Sequence, residues 1–222
     1  ENARTLHAAS SGFSAVGIDP TGAAGGGFLK AMINSPTLTE RWHQGRVVGY
    51  IITGIGVFAL VFAIWRFFRL TLISTQITCQ LKRDQPTENN ALGRVLLVAE
   101  NSATSAPNSL ELQLGEAILK EGPRINAGLS LLKIIAMVAP LLGLLGTVTG
   151  MIIVFQAITI YGAGDPKAMA GGISSALVTT VLGLVVAIPT LLAHTVLNTK
   201  ARNLLHILRE QSAGILAQRA GH

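Results

Sequence analysis

The residues best placed to do chemistry in this chain are small and hydroxylic, and they recur at helical spacing. Gly143, Thr147, Gly150 and Val154 share one face of a helix, and Gly146 with Gly150 makes a GxxxG pair. Further on, Ser175, Thr179, Gly183 and Ala187 form one row, with Gly172, Ala176 and Thr180 in the row beside it. Two readings stand. In the first, these are tight-packing faces of helices in lipid, with each hydroxyl bonded back to a carbonyl about one turn earlier. In the second, Thr147 and Thr180 face a narrow, partly wet path, to which Ser175 and Thr179 belong. Pro140 and Pro189 lie inside the same segments, where freed carbonyls and kinks can shape a cavity.

Catalytic constellations are absent from the sequence, which does not read as an enzyme. His7, His43, His194, His206 and His222 are scattered, and none pairs at i, i+4 with another His or with Glu in a way that predicts a metal site. His194, late in the second small-residue segment, reads as a residue near the interface, solvated or hydrogen-bonded, rather than part of a proton relay. The GAAGGG run follows no strand and lacks the Lys-Ser/Thr ending of a phosphate loop. No cofactor is implied. Proton paths through membranes normally need an ionisable group, and these segments offer no carboxylate; if protons move here, a partner must bring the acid.

The elements that carry these residues are long and apolar. No charged residue stands between Ile134 and Tyr161, or between Lys167 and Lys200. Each run exceeds the roughly 20 apolar residues needed to cross a hydrocarbon core about 30 Å thick. A third candidate, Val47 to Trp65, has Tyr50 and Trp65 near its ends and Trp42 just before it, as interfacial aromatics should be. Its helix continues through Leu70, Leu72, Ile73 and Ile77. Only 13% of the 222 residues are charged, about half the share of a soluble domain. The formal charge of +6 does not imply nucleic acid, because the basic residues flank hydrophobic runs rather than forming an aromatic-laced patch. The single Cys79 excludes an intramolecular disulfide.

The spacing predicts an all-α membrane protein with three spans extended into a helical region outside the bilayer. Residues 1–35 form an N-terminal segment, within which 28–33 is either a surface-lying amphipathic piece or a loop-flanked helix. Ser35-Pro36 predicts a helix start. The first span and its extension cover 36–81, a polar helical loop 82–130, the second span 131–161, a short connection 162–167, and the third span with its tail 168–222. Within the loop, ALGRVLLVAE predicts a short helix, Ser109 a cap for the next one, and Gly122-Pro123 its interruption. Lys and Arg concentrate in the loop and in the tail after the third span, while the 162–167 connection holds only Lys167. The bias predicts loop and tail inside, N-terminus outside, with Arg41 and Arg46 opposing it at the first span.

The stretches APLLGLLGTVTGMI and GGISSALVTTVLGLVVAIPTLLAH resemble the MotA/TolQ/ExbB proton-channel family. The resemblance is on the ExbB side, nearest the TtpC-type, ExbB-like proteins of TonB systems, and covers about Ala117 to Leu216. These relatives carry an extra periplasmic N-terminal region, which suits a chain that opens on Glu1; residues 1–35 then read as the end of it. The resemblance implies a homopentamer in the bacterial inner membrane, surrounding the single spans of an ExbD-like partner whose membrane Asp carries the proton, and working with a TonB-like protein. It maps the family's pore threonines onto Thr147 and Thr180. Some ExbB proteins have a Glu one turn before the third-span threonine; the matching position here is Ser175, which leaves the acid to the partner. The implied function is a motor subunit that uses the proton motive force to energise TonB-dependent uptake. The alternatives are a TolQ-like envelope motor and a non-conducting scaffold in which Gly143, Gly146, Gly150, Gly183, Pro140 and Pro189 only assemble helices.

Overall fold

The computed structural model describes residues 37–82, 85–102, 107–162 and 166–220. The 1–35 segment, the amphipathic 28–33 piece and the Ser35-Pro36 helix start lie outside the described residues. The chain divides into two compact units, Glu1–Arg41 and Trp42–His222. In the first, the described residues open helix α1 (Leu38–Gln44). Thr37 and Glu40 close a capping box: the Thr37 amide donates to Glu40 Oε2 at 2.9 Å and the Glu40 amide to Thr37 Oγ1 at 3.4 Å.

Every regular element of the second unit is a helix among its described residues. It contains α2 (Arg46–Gln80), α3 (Ala91–Asn101), α4 (Pro107–Asn126), α5 (Leu129–Tyr161) and α6 (Pro166–Ala220). Three of these, α2, α5 and α6, are long and apolar enough to cross a membrane. At 55 residues, α6 extends about 80 Å, far more than the bilayer core requires. Its first half pairs antiparallel with α5, and its second half supports α3 and α4.

Two apolar clusters hold this arrangement. Where the long helices leave their apolar runs, Leu70 and Ile77 of α2 meet Leu132 of α5 and Leu197, Leu204 and Leu208 of α6. Farther out, Val95 and Ala99 of α3 pack on Leu110 and Leu114 of α4, with Ile215 and Leu216 of α6 against them. Polar clamps fix the angles. Arg219 of α6 donates to the carbonyls of Ala99 and Ser102, 2.7 and 3.1 Å away at the end of α3, where a cation complements orphan helix carbonyls. Lys200 of α6 lies 3.8 Å from the Phe67 ring centroid of α2 and 3.3 Å from Thr71 Oγ1. The α3 start is capped by Asn90, which accepts from the Gly93 amide.

Local expectations in the 82–130 loop need correcting. Helix α4 begins at Pro107, so Ser109 lies inside it rather than capping it, and the helix runs through Gly122-Pro123 to Asn126. The break falls later, at Ala127-Gly128. Gly128 has φ +74°, a left-handed value that favours glycine, and a Cβ there would stand 2.5 Å from the Phe62 ring. Arg66 of α2 donates to the carbonyls of Arg124 and Ile125 at 3.1 and 2.5 Å, supplying the bonds that the end of α4 lacks.

Candidate functional site: the hydroxyl-bearing seam of the hairpin

Helices α5 and α6 approach along a line of residues with little or no side chain. A Cβ added at Gly143 would lie 3.0 Å from the Thr179 carbonyl and 3.2 Å from Thr180 Cα. At Gly146 it would overlap the Thr179 side chain, and at Gly150 it would lie 2.7 Å from Ala176 Cβ. From the other helix, a Cβ at Gly183 would stand 2.8 Å from the Ala139 carbonyl. The glycines therefore set the helix separation, as small residues do in lipid. The antiparallel register follows: Gly143 sits opposite Thr180 and Gly150 opposite Ala176, so Thr147 and Thr180 lie within about a turn of the same level.

The four hydroxyl residues do not share one environment. Ser175 and Thr179 are buried inside the hairpin, 6% and 1% exposed, whereas Thr147 and Thr180 are half-buried at its edges. Thr179 Oγ1 donates to the carbonyls of Ala176 and Ser175 at 2.9 and 3.2 Å. Thr180 Oγ1 donates to Ala176 at 3.3 Å and Thr147 Oγ1 to Leu144 at 2.7 Å. With its proton engaged in this way, each hydroxyl oxygen still presents lone pairs to whatever lies opposite.

Both prolines sit within unbroken helices, Pro140 half-buried and Pro189 exposed. Pro189 lines an apolar groove of about 480 Å³ between α2 and α6, whose polar residues are Thr53 and Thr190. Among the described residues no three His, Cys, Asp or Glu side chains cluster as a metal site would require. His194 is half-buried on α6.

The sequence reading passed over a second polar centre, on the α3–α4 side of α2. Glu121 of α4 is 4% exposed and accepts from Arg94 Nε and Nη2 at 2.8 and 2.7 Å and from Arg124 Nη1 at 2.8 Å. Burial pushes the Glu121 carboxyl up, but the hydrogen bond and charge of Arg94, joined by those of Arg124, hold it below its ordinary value. The sequence signal was faint: Arg124 lies at i+3 from Glu121, but Arg94 is distant and on another helix.

The sequence model of the MotA/TolQ/ExbB proton channel family matches residues 86–210. A putative biopolymer transport protein ExbB homolog of Methanothermobacter thermautotrophicus is 32% identical over 178 residues, which is 72% of this chain and 63% of the relative. A putative biopolymer transport protein ExbB-like 1 of Synechocystis sp. is 33% identical over 184 residues, 75% of this chain and 72% of the relative. The biopolymer transport protein ExbB of Helicobacter pylori is 43% identical over 77 residues, 35% of this chain and 53% of the relative. The chain thus spans less than two thirds of the length of the first and third of these. Because the family match takes in α3, α4, α5 and most of α6, more than half of the chain, this protein belongs to the MotA/TolQ/ExbB proton channel family.

Proposed function

We propose that this chain is the channel-forming subunit of an inner-membrane motor that uses the proton motive force to energise TonB-dependent uptake. In this reading it assembles as a homopentamer, with its α3–α4 lobe and C-terminus in the cytoplasm and its N-terminus in the periplasm. A single-span, ExbD-like partner supplies a membrane Asp, and a TonB-like protein receives the work. The subunit moves protons; it makes and breaks no covalent bond.

The observation that carries the reading is that Thr147 and Thr180 lie within about a turn of one level, at the edges of the charge-free runs of α5 and α6. A threonine whose proton is given to its own helix can accept a hydrogen bond from a protonated carboxyl. Turning about χ1, it can instead donate to the carboxylate. Such a pair accommodates both protonation states of a passing acid without presenting a charge of its own. Ser175 and Thr179, buried in the seam, would act by holding the two helices at fixed separation, and Pro140 and Pro189 by shaping them.

A scaffold reading draws on the same hydrogen bonds, since the Thr147, Thr179 and Thr180 hydroxyls already donate to their own helices. Thr147→Val and Thr180→Val separate the two, because valine keeps the shape and removes the hydroxyl. Proton flux would be measured in vesicles holding the subunit with its single-span partner. A conducting role predicts a fall of at least about tenfold in either variant, the value of one hydrogen bond to a charged group. Undiminished flux and uptake in the double variant would leave the scaffold reading standing.

A further inference from the structure

Where α2 leaves its apolar run, the face it turns to α3 and α4 is basic and incompletely satisfied. A cleft of about 360 Å³ lies between these helices, with Arg69, Gln76, Asn89, Arg94 and Arg124 among its polar walls. A single water takes about 10–15 Å³ of such space, so the cleft has room for a larger polar group. Among the described residues one carboxylate lines it, Glu121, and that is already engaged by Arg94 and Arg124. Arg94 gives its remaining terminal nitrogen to the Glu88 carbonyl at 2.9 Å. Arg69 lies 5.4 Å from the Trp65 ring centroid and has no carboxylate within ion-pair distance among the described residues.

One turn earlier, Arg66 is 3% exposed, and its Nε is buried without an acceptor. Its hydrogen bonds go to the backbone of Arg124 and Ile125, two residues of the cleft wall. Among the described residues, the three guanidinium groups that line the cleft face one carboxylate and leave it net positive, and Arg66 behind the wall adds a fourth cation.

The level of the cleft identifies the anion. Trp65, Arg66 and Arg69 close an apolar run that begins at Val47, and aromatic and basic residues in that position mark the headgroup layer. The anion concentrated there is phospholipid phosphate, and basic pockets between membrane helices hold anionic headgroups. We propose that this cleft binds the phosphate of an anionic phospholipid. Arg69 and the exposed edge of Arg124 hold its oxygens, Gln76 and Asn89 hydrogen-bond the headgroup hydroxyls, and Arg66 supplies charge from behind. The bound lipid ties α2 to the α3–α4 lobe. This requires only that α2 spans the membrane, and is independent of proton conduction.

The test is native mass spectrometry of the full assembled protein released from nanodiscs containing equal phosphatidylglycerol and phosphatidylcholine. Wild type is expected to retain phosphatidylglycerol in preference by about tenfold, and Arg69→Gln/Arg124→Gln to reduce that preference to within about twofold. Leu72→Trp, which obstructs the cleft and leaves every charge in place, should lose the preference as well, and guards against a double variant that merely fails to fold. Equal retention of the two lipids by wild type overturns the proposal. So does a preference that survives in either variant, the result expected if a neighbouring copy's carboxylate fills the cleft. Release into excess inorganic phosphate distinguishes the source: retained lipid supports the assignment, and lipid displaced by a phosphate adduct shows a soluble-phosphate site and refutes it.

Discussion

Glu121 joins α3 to α4 through one buried carboxylate shared by two arginines, and its titration should be visible in the stability of the protein. Burial opposes its ionised form, yet Arg94 and Arg124 together keep its carboxyl below the ordinary 4.5; the Arg94 guanidinium is raised in turn, first by its hydrogen bond to Glu121. A carboxyl depressed on folding binds fewer protons folded than unfolded. Its contribution is therefore complete above the ordinary carboxylate value and declines as the pH falls through the depressed one. The unfolding midpoint in detergent should drop as the pH is lowered from about 5 toward 3. Glu121→Gln should cost about 1–3 kcal/mol at neutral pH, because breaking a buried pair costs more but the Arg94 side chain is 36% exposed and screened by water. Its midpoint should also vary less over the acid range. Parallel profiles for the two proteins would assign the acid sensitivity to other carboxylates.

At the scale of elements, the hairpin seam sets opposite expectations for two glycines in helices. Gly143→Ala places a methyl 3.0 Å from the Thr179 carbonyl and 3.2 Å from Thr180 Cα, backbone atoms that yield only if the helices separate. Overpacking of this kind costs about 1–3 kcal/mol. A Cβ at Gly115, in α4, meets nothing within 4 Å, so Gly115→Ala should stabilise by about 0.5–1 kcal/mol through helix propensity alone. Thermal loss of helical circular dichroism should move down for the first and up for the second; a shift in the same direction for both would mean that seam contact does not govern α5–α6 packing. The three apolar helices were legible in the sequence because uninterrupted hydrophobic length is local information. The seam was half legible: spacing of three and four residues allowed several faces, and only the partner helix selects Gly143, Gly146 and Gly150 while leaving Thr147 at the edge. The end of α4 was misread at Gly122-Pro123 for the same reason. Pro123 falls in the last turns of that helix, whose terminal carbonyls are bonded by Arg66, nearly sixty residues earlier, and the chain turns instead at Gly128.

The whole molecule leaves too much apolar surface for one copy to account for. Only 22–28% of the most apolar window of each span is buried within the chain. Lipid can cover the remainder on α2, α5 and α6, but not Leu112 and Leu119 of α4, 76% and 75% exposed beyond the membrane-length runs. Seven residues apart, they fall on one face of α4, and large apolar side chains exposed together outside lipid mark an interface. In the proposed pentamer their occupant is the neighbouring copy, and the same packing would bring successive hairpins together around a shared axis. Native mass spectrometry of the complex, gently extracted from its own membrane, should then give a pentamer with one or two copies of a small single-span protein. Leu112→Glu/Leu119→Glu should shift that population toward smaller species while helix content stays unchanged, because both side chains are already outside the core of their own subunit. A wild-type protomer or dimer without a single-span companion would remove the source of the acid that Thr147 and Thr180 are proposed to serve, and the hairpin would then be an assembly device alone.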